Sequence, residues 1–376
     1  MTTTLLIRHV RIRTFRNLTA VDLDPAPRVN VLAGDNGQGK TSVLEALYFV
    51  ATSRSFRTDR LAEVVQEGAT ATSVRLEILD DGCIRQQQAT LQGNKRSFLL
   101  DGQRSATLGE FATRSPIVVF HPGDLGLVAG PAAGRRTLLD RLVLFSCPMS
   151  SVRRSRYQQA LRERQALLTQ RGRAASETEL AAFERIMAEE GAAITRSRGE
   201  ASALFGLELD LSFRKMATPG LELRVSYCPG GCGDSAAFAT ELERRRRVDG
   251  ERRIATYGPQ RDELELLIDG RSARRHASQG QQRILALAIK LAELAFVARA
   301  RQAHPILLLD DISSELDPER AGAVYSYLRA TPSQIFVSTT RPELFETPGL
   351  GPGERADFRL EAGAAVRRTA LEQGGP

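Results

Sequence analysis

Four cysteines in 376 residues (Cys83, Cys147, Cys228 and Cys232) are too few and too scattered for a disulfide framework. Only Cys228-Pro-Gly-Gly-Cys232 forms a close pair, and no second pair completes a structural zinc set. The pair reads as free thiols in a turn. Long apolar runs are missing too. A membrane helix needs roughly 20 apolar residues in succession, and the nearest stretch, residues 285–298, is broken by Lys290 and Glu293. The N-terminus, Met1-Thr-Thr-Thr-Leu-Leu-Ile-Arg, lacks the basic start and small-residue cleavage site of a secretory signal. The expectation is a cytoplasmic protein with no membrane partner. Lysine is nearly absent: of 52 basic residues only Lys40, Lys95, Lys215 and Lys290 are lysine, and the rest are arginine. A GC-rich genome, which writes arginine for lysine, is the plainer reading of that choice of residue. It does not account for a net charge of +7, which favours anionic partners such as nucleic acid.

What is present begins with Gly34-Asp35-Asn36-Gly37-Gln38-Gly39-Lys40-Thr41, followed by Ser42. The stretch fits the phosphate-binding template G-x-x-x-x-G-K-[ST]. The apolar run Val29-Asn30-Val31-Leu32-Ala33 before it reads as a buried strand. After it, Val43, Leu44, Leu47 and Val50 recur at helical spacing. Strand, glycine-rich turn and helix aim backbone N–H groups and a helix N-terminus at a phosphate chain. Lys40 is then placed for the β- and γ-phosphates of ATP, and the Thr41 hydroxyl for Mg²⁺.

Residues 5–23 alternate as strands do, and residues 73–79 and 96–100 carry the same signal between turns at Asp81-Gly82, Gly93-Asn94 and Asp101-Gly102. Ile117-Val118-Val119-Phe120 is a further strand, stopped by His121-Pro122-Gly123. From about residue 133 the chain turns helical and arginine-rich. Tyr157, Leu161, Leu167 and Leu168 make one apolar stripe, and Leu180, Phe183, Ile186 and Met187 another, with a turn expected at residues 172–176. The expected division is an ATPase lobe of residues 1–119 and 255–376, interrupted by a helical lobe of residues 120–254. Arg135, Arg136, Arg153, Arg154, Arg156 and Arg162 on that lobe are candidate DNA contacts, with a solvated helix face as the alternative.

Pro305-Ile306-Leu307-Leu308-Leu309-Asp310-Asp311 reads as a buried parallel strand with its carboxylates at the C-terminal end, where α/β sheets place ligands. Asp310 is the candidate Mg²⁺ carboxylate, and Asp311 is placed to orient or deprotonate an attacking water. Ahead of that strand, Ser278-Gln279-Gly280-Gln281 has the Ser-x-x-Gln spacing of a capping box. Ser314-Glu315-Leu316-Asp317 follows it.

This order of motifs is similar to the signature and D-loop arrangement of ABC-type ATPases. Phe15-Arg16-Asn17, the phosphate loop, Ser55-Phe56-Arg57, Phe120-His-Pro-Gly-Asp124, Gly258-Pro-Gln-Arg-Asp262, Ser278-Gln-Gly-Gln-Gln-Arg283 and Leu308-Leu-Asp-Asp-Ile-Ser-Ser-Glu-Leu-Asp317 narrow it. Together they resemble the RecF family of bacterial recombination-mediator ATPases, in order and over nearly the whole chain. The resemblance implies an α/β fold, an ABC-type P-loop head of mixed sheet, helices and antiparallel strands with an inserted lobe. It implies an ATP-dependent homodimer on gapped, single-stranded or duplex DNA, slow hydrolysis, and RecA loading in gap repair with RecR and RecO. It also implies Arg16 as a nucleotide contact, Ser278 to Gln281 as a signature serving the other subunit's ATP, Ser314 and Asp317 as D-loop residues, and Ser338 and Thr339 at the switch position. The chain departs from the pattern at Gln260, where histidine is common, and at Asp311, where ABC proteins carry glutamate.

A transporter subunit is disfavoured by the antiparallel N-terminal strands, the basic insert and the variant signature. An SMC-like or RecN-like chromosome ATPase needs a long coiled coil, for which about 135 inserted residues leave no room. A non-hydrolysing, ATP-switched DNA scaffold has the same motifs and stays open.

Overall fold

The computed structural model describes residues 3–218, 220–311, 332–342, 350–351 and 353–368. These residues form two compact units, Met1–Asp124 with Val297–Pro376, and Leu125–Phe296.

In the first unit, two six-stranded sheets enclose the helix Lys40–Thr52. One sheet has the order Ala364–Arg368, Arg355–Glu361, Val29–Ala33, Ile335–Thr339, Ile306–Asp310, Ile117–Phe120. Its pairings are parallel except for the terminal hairpin of Arg355–Glu361 with Ala364–Arg368. The central strands Val29–Ala33, Ile306–Asp310 and Ile335–Thr339 are buried along their whole length, as expected where both faces of a parallel sheet are covered. The other sheet is antiparallel, running Leu18–Leu23, Leu6–Phe15, Ala71–Asp80, Cys83–Gln92, Lys95–Leu100, Gln103–Arg104. Its alternation is visible in Ala71–Asp80, where Thr72, Val74, Leu76 and Ile78 point inward. Val43, Leu44, Leu47, Phe49 and Val50 of the helix share one core with residues of both sheets, including Val74, Leu76, Leu308 and Phe336.

The second unit is built on the helices Ala132–Ser146, Ser150–Arg171, Glu177–Arg214 and Ser235–Arg252, with a three-stranded sheet of Leu223–Cys228, Glu263–Ile268 and Arg271–Ser272. The expected helical hairpin is there, turning through a short 3₁₀ segment, Gly172–Ala174. Its second helix is longer than the apolar stripes suggest, at 38 residues. Ser176 caps it, accepting from the Glu179 N–H.

The expected lobe boundary at residue 254 is displaced. Glu263–Ile268 pairs with Leu223–Cys228, and Leu264, Leu266 and Ile268 share a core with Leu139, Phe205 and Leu285. Residues 255–296 therefore pack with the helical unit, and the division falls inside the helix Gln279–Arg301. A strand's hydrogen-bonding partner decides its unit, and a period-two pattern does not name that partner. Among the described residues no helix is long and apolar enough to cross a membrane.

Candidate nucleotide site

The phosphate loop sits between the strand Val29–Ala33 and the helix Lys40–Thr52, as the pattern requires. Two of its glycines are obligatory. A Cβ at Gly34 would lie 2.7 Å from the Leu360 carbonyl oxygen, and Gly39 holds φ +107 with its missing Cβ 2.6 Å from Leu18 Cδ2. Asp35, Asn36 and Gly37 form the exposed crown of the loop.

The loop is braced on two sides. Asn17 donates from Nδ2 to the Gly37 carbonyl at 2.9 Å and accepts from the Ser42 hydroxyl at 2.7 Å. The Ala362 N–H donates to Gln38 Oε1 at 2.7 Å, which ties the loop to the turn of the terminal hairpin. Ser42 and Gln38, expected as nucleotide contacts, have these side-chain oxygens engaged in holding the loop.

Lys40 is buried, and its ammonium donates to the carbonyls of Gly34 at 2.5 Å and Asp35 at 2.8 Å. Burial pushes its pKa below the ordinary lysine value, against the opposing pull of Asp311, Asp35 and Asp310. The Thr41 hydroxyl donates to Asp310 Oδ1 at 2.8 Å, and the Ser338 hydroxyl donates to the same oxygen at 2.6 Å. Ser338 Oγ also accepts from the Asp311 N–H at 3.1 Å. Register explains the meeting, because Asp310 pairs directly with Ser338 on the neighbouring parallel strand. Asp311 follows at φ +49, exposed, where the chain leaves the sheet. Thr41 and Asp310 supply only hard oxygen donors, which suits Mg²⁺.

A cleft of about 760 Å³ opens over these groups, and Arg16, Asn36, Gly37, Gly39, Lys40, Thr41, Asp311 and Ser338 line it. The wall also includes Thr340, next to the expected switch pair, and Arg57, Glu63 and Gln66, which the motif reading did not assign to the site. Of the expected switch pair, Ser338 reaches the Asp310 carboxylate. Thr339 does not: it is buried, and its hydroxyl accepts the Arg341 N–H at 2.9 Å. Successive strand residues face opposite ways, so Thr340 lines the cleft in its place. Ser314 and Asp317 lie outside the described residues.

In the other unit, Ser278 and Gln281 form the expected reciprocal cap. Ser278 N–H donates to Gln281 Oε1 at 2.9 Å, and Gln281 N–H to Ser278 Oγ at 3.2 Å. Ser278 and Gln279 are exposed at the start of the helix, and Gly280 is half-buried.

The candidate DNA arginines divide sharply. Arg135 is removed from the set: it is buried and forks onto Glu263 at 2.6 and 2.7 Å, with its Nη1 on the carbonyls of Leu127 and Gly130. Arg136 donates to the Asp262 carbonyl, Arg154 pairs with Asp140, and Arg156 with Glu190. Arg153 and Arg162 are exposed and make no ion pair among the described residues.

Residues 6–348 match the family described as RecF/RecN/SMC N terminal domain. The chain is 39% identical to the DNA replication and repair protein RecF of Anaeromyxobacter sp. (strain Fw109-5) over 361 residues, covering 94% of this chain and 96% of that one. The chain belongs to the RecF family. The RecF of Geobacter sulfurreducens is 34% identical over 368 residues, covering 96% of this chain and 99% of its own length. A solved structure of the recombination mediator protein RecF with ATPrS superposes with a TM-score of 0.88 at 24% identity, covering 98% and 99% of the two chains. The Smc head domain from Pyrococcus furiosus shares the fold at a TM-score of 0.54 and 15% identity, over 98% of each chain. The RecF-family fold is thus an α/β, ABC-type P-loop head with its inserted unit.

Proposed function

We propose that this RecF-family chain is an ATP-dependent DNA-binding recombination mediator. The observation that carries the reading is the meeting of Thr41 and Ser338 on Asp310 at 2.8 and 2.6 Å, with Thr41, Ser338 and Lys40 lining one cleft. The RecF names of its near full-length relatives and the ATPrS- and ATP-bound RecF structures of the same fold support it.

Residues 34–42 cradle the triphosphate of ATP through backbone N–H groups and the helix N-terminus. Lys40 leaves its loop carbonyls for the β- and γ-phosphates. Thr41 and Asp310 would hold Mg²⁺, which would supply neutralising charge to the bound phosphates. Arg16 adds positive charge at the cleft wall, and Ser338 keeps Asp310 oriented. The exposed start of the helix Gln279–Arg301, with Ser278, is the anion site offered to the ATP of a second copy. Two ATP molecules therefore close a homodimer, and its DNA contacts are to phosphates, largely independent of sequence. Gapped or single-stranded/duplex DNA is the substrate, RecA loading the outcome, and RecR with RecO the partners. Cytoplasmic location follows from that role.

DNA binding at several salt concentrations, with and without ATP, tests the reading. Wild type should bind gapped DNA more tightly with ATP. Joint Arg153→Ala and Arg162→Ala should reduce the log–log salt slope by about two. Arg135→Ala should lower thermal stability and leave the slope alone. An ATP-independent affinity would sink the proposal.

Hydrolysis is the slower half of the cycle. Asp311 carries one methylene fewer than glutamate, so its reach to an attacking water is shorter. Asp311→Asn is expected to cut turnover by at least about tenfold and leave ATP affinity within about twofold. Unchanged turnover would remove Asp311 as the base, and no turnover even in wild type would make the chain a non-hydrolysing scaffold.

A further inference from the structure

The helix Lys40–Thr52 is apolar over most of its length, yet Glu45 lies in its middle with no exposure. A lone carboxylate there would be costly to bury. This one collects four donors. Arg16 supplies Nε to Oε2 at 3.0 Å and Nη2 to Oε1 at 2.7 Å. The Ser55 hydroxyl donates to Oε1 at 2.5 Å, and Arg57 Nη1 to Oε2 at 3.2 Å.

The two arginines reach Glu45 from separate segments. Arg16 stands in the turn between Leu6–Phe15 and Leu18–Leu23 at φ +54, with its N–H on the Val64 carbonyl. Arg57 follows the helix, in a segment where Ser55 Oγ accepts the N–H groups of Arg57 and Thr58. Both arginines line the cleft that contains Lys40 and Thr41. The Arg57 side chain is 44% exposed, so burial alone does not choose its rotamer. Glu63, 4.0 Å from Arg16 Nη1, and Glu67 stand on the same wall.

We propose that Glu45 is a positioning residue of the nucleotide site. Its carboxylate sets Arg16 and Arg57 at the cleft wall before a polyphosphate arrives, so their ordering cost is met on folding and not on binding. This rests on the reading of the cleft as an ATP site.

Titration of the full chain with a fluorescent ATP analogue separates the two claims. No binding by wild type would overturn the ATP-site reading itself. With wild type binding, Glu45→Gln and Arg57→Ala should each weaken affinity by about tenfold. The double variant should be within about twofold of the weaker single variant, because both break one device. A packing role would instead lower the melting temperature and leave the two effects on affinity multiplicative, and that result would overturn the proposal. Glu45→Asp guards against a Gln variant that fails to fold. It keeps the charge but withdraws the carboxylate, and should lose affinity to an intermediate degree. Wild-type affinity in folded Glu45→Asp, or in Arg57→Ala with its exposed side chain, would equally overturn it.

Discussion

Lys40→Ala is expected to lower ATP affinity by about a hundredfold or more and to abolish ATP-dependent dimerisation. The variant removes the buried Lys40 ammonium, which in the proposed cycle moves from the carbonyls of Gly34 and Asp35 to the terminal phosphates. Light scattering of wild type and variant with and without ATP reads the dimer directly. A variant that dimerises with ATP as wild type does would refute the two-ATP sandwich, whatever its turnover.

Arg164→Ala should be the most damaging single change in the Leu125–Phe296 unit, at about 3–5 kcal/mol. The Arg164 side chain has no exposure, and it joins two carboxylates on other helices, Glu184 by Nε at 3.0 Å and Asp249 by Nη1 at 2.7 Å. Without it, among the described residues the Asp249 side chain keeps only Thr256, and that of Glu184 only Arg246. Asp249 would then be a buried negative charge with no cationic partner among the described residues, and Glu184 would lose one of its two. Lysine should not restore the loss, since one compact ammonium cannot reproduce a fork onto both partners. Chemical denaturation measures the cost. A loss below about 1 kcal/mol would mean that water reaches the cluster and screens it.

The Arg164 cluster shows where a sequence stops being legible. The arginine run in residues 153–173 gives equal support to a solvated face and to a DNA face. What separates its members is a set of partners far along the chain: Glu190 for Arg156, Asp249 for Arg164, Glu251 for Arg173. The same holds for Glu45. A carboxylate within Val43-Leu44-Glu45-Ala46-Leu47 is a visible anomaly in an apolar stretch, but its partners come from two other segments.

The sequence by itself determined what depends on neighbours a few residues apart. The glycine-rich turn before Lys40, the strand ending at Asp310, the cap between Ser278 and Gln281 and the hairpin turn near Gly172 are all written within single turns or strands. Their geometry follows from backbone sterics and local periodicity. Tertiary structure alone decided three things. It joined Thr41 and Ser338 on Asp310 through strand register. It turned Thr339 away and Thr340 toward the cleft. It moved residues 255–296 into the helical unit by pairing Glu263–Ile268 with Leu223–Cys228. The first and third are contacts between distant segments, and the second depends on which face of the strand the cleft lies over; a residue's own neighbours carry no information about which distant group will share its low-dielectric surroundings.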